Sequence, residues 1–109
     1  MIIDFKTLPF EDLPHFKDGE GVFHVQMYWD GTTRIMHAFL APGASIGLHK
    51  HEGSCEILFL VQGEATLLED GERKPLSAGQ CTYCPEGHSH SLINTGNEDV
   101  ELYAAVPKQ

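Results

Sequence analysis

The residues of this chain best suited to chemistry are His49, His51, Glu56 and His90, three imidazoles and one carboxylate set among glycines. They fall in the run Gly43-x5-His49-x-His51-x4-Glu56-x6-Gly63 and, downstream, in Gly79-x5-Pro85-x-Gly87-x2-His90-x3-Asn94. Neutral imidazole nitrogens and a carboxylate oxygen are good ligands for a divalent transition metal such as Fe, Mn, Zn or Ni, at bond lengths of about 2.0–2.2 Å. Three imidazoles argue against the all-oxygen shell that Ca or Mg prefers. His49 and His51 are two residues apart, so an extended strand sends both side chains to the same face. Glu56 follows after a short turn, and His90 can arrive from a second hairpin. Four ligands on one side of an octahedron would leave two adjacent positions for water, substrate or dioxygen. Binding should weaken as pH falls through the imidazole range, because protons compete for the same nitrogens.

The remaining polar residues read more plainly. His15, His24 and His37 have no partner at ligand spacing and are expected to be surface or hydrogen-bonded core residues. His88 repeats the His-x-His pattern with His90 but falls in the Pro85-Glu86-Gly87 turn, where it should face solvent or the pocket rim. Lys50 and Glu52 alternate with the histidines and should point away from the metal. Cys55, Cys81 and Cys84 are an odd set that makes no disulfide framework, and Cys81-x2-Cys84, without a second pair, reads as structural. Arg34 could reach the cavity rim or bulk water, and Arg73 should lie in solvent. So few cations disfavour a dicarboxylate or phosphosugar ligand, which usually needs Arg or Lys clamps. Gln26, Tyr28, Met36, Ala38, Leu58, Leu60, Tyr83 and Tyr103 are the candidate pocket liners.

These side chains must be positioned by strands. No long amphipathic helix is legible, and prolines and glycines break residues 8–21 into loop with at most one short turn. Residues 22–29 and 34–40 are β-branched and aromatic around an Asp30-Gly31 turn, and Asp70-Gly71 marks a second tight turn. Strand signals recur at 55–61, 65–69, 74–76, 81–84, 89–93 and 100–106, the pattern of an all-β sandwich or barrel. In residues 56–61 the phase of Glu56 continues through Leu58 and Leu60 into the interior. Ile57, Phe59 and Val61 face the other way and are equally apolar, so they need a cover, from the N-terminal segment or a second subunit.

The two glycine-punctuated runs agree with both signature motifs of the cupin superfamily at every fixed position, and over roughly residues 41–105 the chain resembles a small single-domain cupin of the conserved-barrel (cupin 2) type. The resemblance implies a double-stranded β-helix, or jelly-roll barrel, with a metal held by His49, His51, Glu56 and His90. Residues 1–20 are then an N-terminal extension, loop with a possible strand, and 21–109 the barrel; the resemblance also favours a homodimer, since small cupins commonly pair through their sheets. It implies no single reaction, because cupins include dioxygenases, decarboxylases, isomerases, lyases, storage proteins and sugar-sensing domains. The expectation is a metalloenzyme, a dioxygenase or a metal-assisted isomerase or lyase, acting on a small neutral or aromatic organic molecule. The alternative is a non-catalytic domain that binds or senses a small molecule.

The chain has 109 residues, enough for one core, and a formal charge of −9. That charge opposes binding to nucleic acid and to anionic membrane surfaces. With no apolar run of bilayer length and no signal-peptide pattern at the N-terminus, the expectation is a cytoplasmic protein.

Overall fold

The computed structural model describes residues 1–109 and is built from ten strands. In chain order they are β1 (Glu11–Pro14), β2 (Val22–Trp29), β3 (Thr33–Leu40), β4 (Ser45–Lys50), β5 (Glu56–Gln62), β6 (Glu64–Glu69), β7 (Glu72–Ser77), β8 (Cys81–Cys84), β9 (Ser89–Ile93) and β10 (Val100–Pro107). A single 3-10 turn, Phe16–Asp18, separates the first two. No helix is long and apolar enough to cross a membrane.

The strands form two antiparallel sheets, one ordered β1-β2-β3-β10-β5-β8 and the other β4-β9-β6-β7. Facing one another, they make the jelly-roll barrel expected of the sequence. The alternation of β2 and β3 explains the inner layer. Phe23 and Val25 from β2 and Met36, Ala38 and Leu40 from β3 turn inward and are buried. Leu58 and Leu60 from β5 and Leu102 from β10 complete that sheet's contribution, while Ile46, Leu67 and Leu92 answer from the other sheet. Burying each such side chain removes roughly 1.5–3 kcal/mol worth of apolar surface from water.

The first 21 residues are more ordered than their prolines and glycines suggest. β1 pairs with β2, Glu11 opposite Val25 and Pro14 opposite Val22, and the proline sits on a sheet edge where no ladder donor is needed. Ahead of it, Gln26 donates to the carbonyls of Phe5 and Leu8 while its Oε1 lies 2.6 Å from Nδ1 of His37. Nε2 of His37 lies 2.7 Å from the Glu101 carboxylate. Gln26 and His37 are thus buried on the outside of the six-stranded sheet, beneath a strap formed by the N-terminal segment.

The 3-10 turn presses its backbone directly onto β4. A Cβ at Gly47 would stand 1.9 Å from the carbonyl oxygen of Lys17, and one at Gly19 2.3 Å from that of Ser45, so only glycine permits the approach. His15, Lys17 and Asp18 all adopt positive φ there, a conformation unfavourable for non-glycine residues that tertiary packing must hold in place.

The β2–β3 turn is stabilised by Asp30. Its Oδ1 accepts from the backbone N–H groups of Thr32 and Thr33 and from the Thr32 hydroxyl, each at 2.9 Å. The backbone donors, foremost that of Thr32, lower its pKa from 3.8 to about 2. Because the folded-state pKa is the depressed one, the ionised carboxylate stabilises the fold above pH 3.8, and that contribution is lost as pH falls toward 2. The difference in thermal midpoint between the parent and Asp30→Ala should therefore be largest near pH 6 and shrink steadily between about pH 4 and pH 2. A difference that does not vary with pH would show that Asp30 acts as a neutral turn former.

Candidate metal centre

Both sheets contribute to the cluster of His49, His51, Glu56 and His90. His49 lies near the end of β4 and is paired with His90 of β9 across the four-stranded sheet. Glu56 is the first residue of β5 in the six-stranded sheet, opposite Cys84 of β8. His51 lies one residue beyond β4, where its position is fixed by main-chain bonds. Its N–H donates to the carbonyl of His88 at 3.0 Å, and its carbonyl accepts from the N–H of Gly87 at 2.7 Å. The Pro85–His88 turn thus holds His51 where strand pairing no longer does.

Nε2 of His51 lies 2.9 Å from Nε2 of His90 and 3.0 Å from Oε1 of Glu56. Nε2 of His90 lies 3.1 Å from that of His49 and 2.8 Å from the same carboxylate oxygen, and the His49–Glu56 separation is 3.8 Å. Ligands at right angles around one ion, with bonds of about 2.0–2.2 Å, stand about 2.8–3.1 Å apart. Four of the five separations have this value, and all four donor atoms fall within 4.8 Å of one another.

The outer ring nitrogens support the same orientation. Nδ1 of His49 is 2.8 Å from the carbonyl of Gly47, an acceptor that requires the proton on Nδ1 and leaves the Nε2 lone pair facing the cluster. Nδ1 of His51 is 3.1 Å from the Ser54 hydroxyl. The donor set, its spacing and the His49 tautomer all fit a divalent transition metal. Burial by itself opposes ionisation of Glu56, but the contacts with His49, His51 and His90 together outweigh it and hold the carboxyl well below its usual range, in the anionic form a metal requires.

The other polar residues divide between the site and the scaffold. His88 is half exposed and forms a 2.6 Å contact with Asp70, outside the cluster, as its turn position suggests. His24 pairs with Asp12, and His37 belongs to the buried network under the strap. Cys81 is exposed while Cys84 is buried, so the two lie on opposite faces of β8, and burial raises the Cys84 thiol pKa to about 11. That thiol is inert at neutral pH.

A cavity of about 330 Å³ opens beside the cluster, and here the sequence expectations need correction. Lys50 and Glu52 border it, 3.8 Å apart, both with exposed side chains; Lys50 alternates outward with His49 as expected, and Glu52 lies beyond the end of β4, where strand alternation no longer governs it. Arg34 and Lys17 line it too, so three of the chain's seven cations border one cavity. Of the candidate liners, Met36 reaches the cavity, whereas Ala38, Leu58 and Leu60 pack in the core. Gln26 is buried under the strap, and Tyr83 and Tyr103 lie on the outer face of the six-stranded sheet. Arg34 was the legible signal. It shares the inward phase of Met36, Ala38 and Leu40, and an inward cation at a barrel mouth is uncommon.

A family model described as "Cupin domain" matches residues 35–106, and the chain belongs to that family. An oxalate-binding protein of Thermotoga maritima is 45% identical over 67 residues, 62% of this chain and 55% of that one. A tetracenomycin polyketide synthase protein of Streptomyces glaucescens is 33% identical over 56% of this chain and 41% of its own length. The match therefore spans about half the length of these relatives. Among solved structures, a predicted oxalate decarboxylase of Thermotoga maritima superposes with a TM-score of 0.92 at 30% identity, covering all of both chains. KdgF of Halomonas sp. shares the fold, with a TM-score of 0.79 at 16% identity over 100% of this chain and 94% of that one.

Replacing His51 with Ala should abolish stoichiometric uptake of Mn, Fe or Zn, read by elemental analysis, while the circular dichroism of a folded barrel persists. His88→Ala should retain full metal content, because only the backbone of residue 88 orients His51. Retention of metal by the first variant, or its loss from the second, would overturn the ligand assignment.

Proposed function

We propose that this cupin-family protein binds a small carboxylate of the oxalate type at a metal held by His49, His51, Glu56 and His90. The observation that carries this reading is the guanidinium of Arg34 in the cavity wall, whose Nε is buried without a hydrogen-bond partner and which forms no ion pair with any carboxylate of the protein. A buried, unpaired donor on a permanent cation is costly unless a ligand completes it. Planar guanidinium matches planar carboxylate through two parallel hydrogen bonds. Lys17 and Lys50 add positive charge around the same cavity in a chain of net charge −9. The names of the Thermotoga relatives point to the same chemistry.

This reading replaces the expected neutral or aromatic ligand with an anionic one, for which the cavity supplies the cations. A bound metal would supply Lewis acidity and, if redox-active, access to dioxygen. The chain's own residues supply orientation through Arg34, exclusion of water by Phe16 and Met36, and an exposed carboxylate at Glu52.

Glu52 favours a second, catalytic reading. Its side chain is largely exposed yet lines the cavity, so it can deliver a proton to a bound acid. Decarboxylation of oxalate would break the C–C bond, release one carbon as CO₂ and place a proton on the other to give formate. Formate and CO₂ accumulating in stoichiometric amounts from oxalate would identify an enzyme, and tight binding without product would identify a binding protein.

Association between copies belongs to the same proposal. Phe59, Val61, Tyr83 and Tyr103 are all more than a third exposed on the outer face of the six-stranded sheet. Tyr103 is opposite Phe59, and Ile57 is opposite Tyr83, so they form one continuous patch, which Phe5 of the N-terminal strap meets edge-on at Tyr103 and otherwise leaves open. A second copy laid face to face would cover it.

Two measurements test these statements. Arg34→Ala should lower oxalate affinity about 10- to 100-fold by calorimetry, the worth of charge-assisted hydrogen bonds, while metal content stays stoichiometric. Unchanged affinity would remove Arg34 from the site. The parent should elute as a dimer by light scattering and Phe59→Glu as a folded monomer, whereas a monomeric parent would refute the pairing.

A further inference from the structure

The cavity at the metal cluster does not end at Arg34. A second cavity of about 320 Å³ adjoins it, and the two share Arg34, Glu52, Ser54 and Val106 in their walls. Trp29 and Lys108 line only the second. Oxalate, two carbons and four oxygens, would occupy a small part of the first cavity and none of the second. Cavities that enclose ligands of drug-like size start at about 300 Å³, so either volume alone exceeds what oxalate needs.

Strand register explains how the annex is built. Trp29 and Arg34 are directly opposite one another at the end of the β2–β3 hairpin, in the inward phase of Phe23, Val25 and Met27 on one strand and Met36 and Ala38 on the other. Further along this stripe the side chains are buried or partly buried, but Trp29 ends it 54% exposed. The Arg34 guanidinium carbon lies 4.9 Å from the centre of the indole ring, so stacking holds the side chain and leaves its hydrogen-bonding edge for a ligand. Gly31 and Gly53 also border the annex, and neither would meet any atom within 4 Å if it carried a Cβ, so the space beside the indole is open.

Resting on the carboxylate reading above, we propose that the annex is a binding site for the tail of a carboxylic acid longer than oxalate, a planar unsaturated or aromatic group seated against Trp29 and Val106. The carboxylate end lies in the metal cavity, and Arg34 stands at the junction between the two ends of the ligand. Ligand preference is then set by Trp29, which lines the annex and not the metal cavity.

Trp29 is the chain's single tryptophan, so intrinsic fluorescence reports directly on the annex. Zinc-loaded full-length protein would be titrated with oxalate, acetate, cinnamate and succinate, following indole emission and heat. Cinnamate should bind about three- to tenfold more tightly than acetate, the range expected of one aromatic contact, and should change the emission saturably. Trp29→Leu should bring the cinnamate-to-acetate ratio close to one, and Trp29→Phe should restore most of it. Oxalate binding with cinnamate no tighter than acetate would overturn the annex proposal alone. Succinate tighter than cinnamate would also overturn it, assigning the annex to a second anionic group near Lys108. If neither oxalate nor cinnamate binds, the carboxylate reading fails together with the annex.

Discussion

A carboxylate buried among three imidazoles is the interaction around which this barrel is arranged. Removing Glu56 from water is unfavourable, and three histidine contacts are what keep it ionised. Each of those histidines needs a support of its own: the Gly47 carbonyl for His49, the Ser54 hydroxyl and the Pro85–His88 turn for His51, and the β4–β9 ladder for His90. The strand-borne supports belong to the four-stranded sheet, whereas Glu56 belongs to the other. The cluster therefore exists only where the two sheets are correctly placed against each other.

The same requirement accounts for the backbone around β4. The 3-10 turn lies on this strand so closely that two glycines are needed, and three non-glycine residues take positive φ to make the fit. Strain of that kind gathers where surrounding structure over-determines the chain, and here it brings Phe16 and Lys17 to the cavity wall. The cavity's positive border follows from this placement as much as from Arg34.

Much of this architecture was legible in the residues. Glycine-containing turns and alternating apolar residues marked the strands, and the two motif spacings singled out the four donors that the fold brings together. The less legible features share a physical cause. Glu52 was assigned outward by strand alternation, but β4 stops at Lys50 and the rule stops with it. β1 is four residues long, contains a proline and sits at a sheet edge with β2 as its pairing partner, so no local periodicity announces it. Gln26, Tyr83 and Tyr103 have side chains as suited to a pocket as to an outer face, and the registers of β2 on β3, β8 on β5 and β10 between β3 and β5 decide which.

That register also bears on how the chain comes to fold. β10, residues 100–107, lies between β3 and β5, so the six-stranded sheet remains two unconnected pieces until this segment has been synthesised. During translation the edges of β3 and β5 are unpaired, and the apolar side chains of both lack their central neighbour. Ordering of the barrel must follow emergence of β10 from the ribosome. Pairings between residues so far apart in sequence, Val100 with Leu40 and Pro107 with Thr33, are slow to form, and the open edges of β3 and β5 stay exposed to edge-to-edge association for that time.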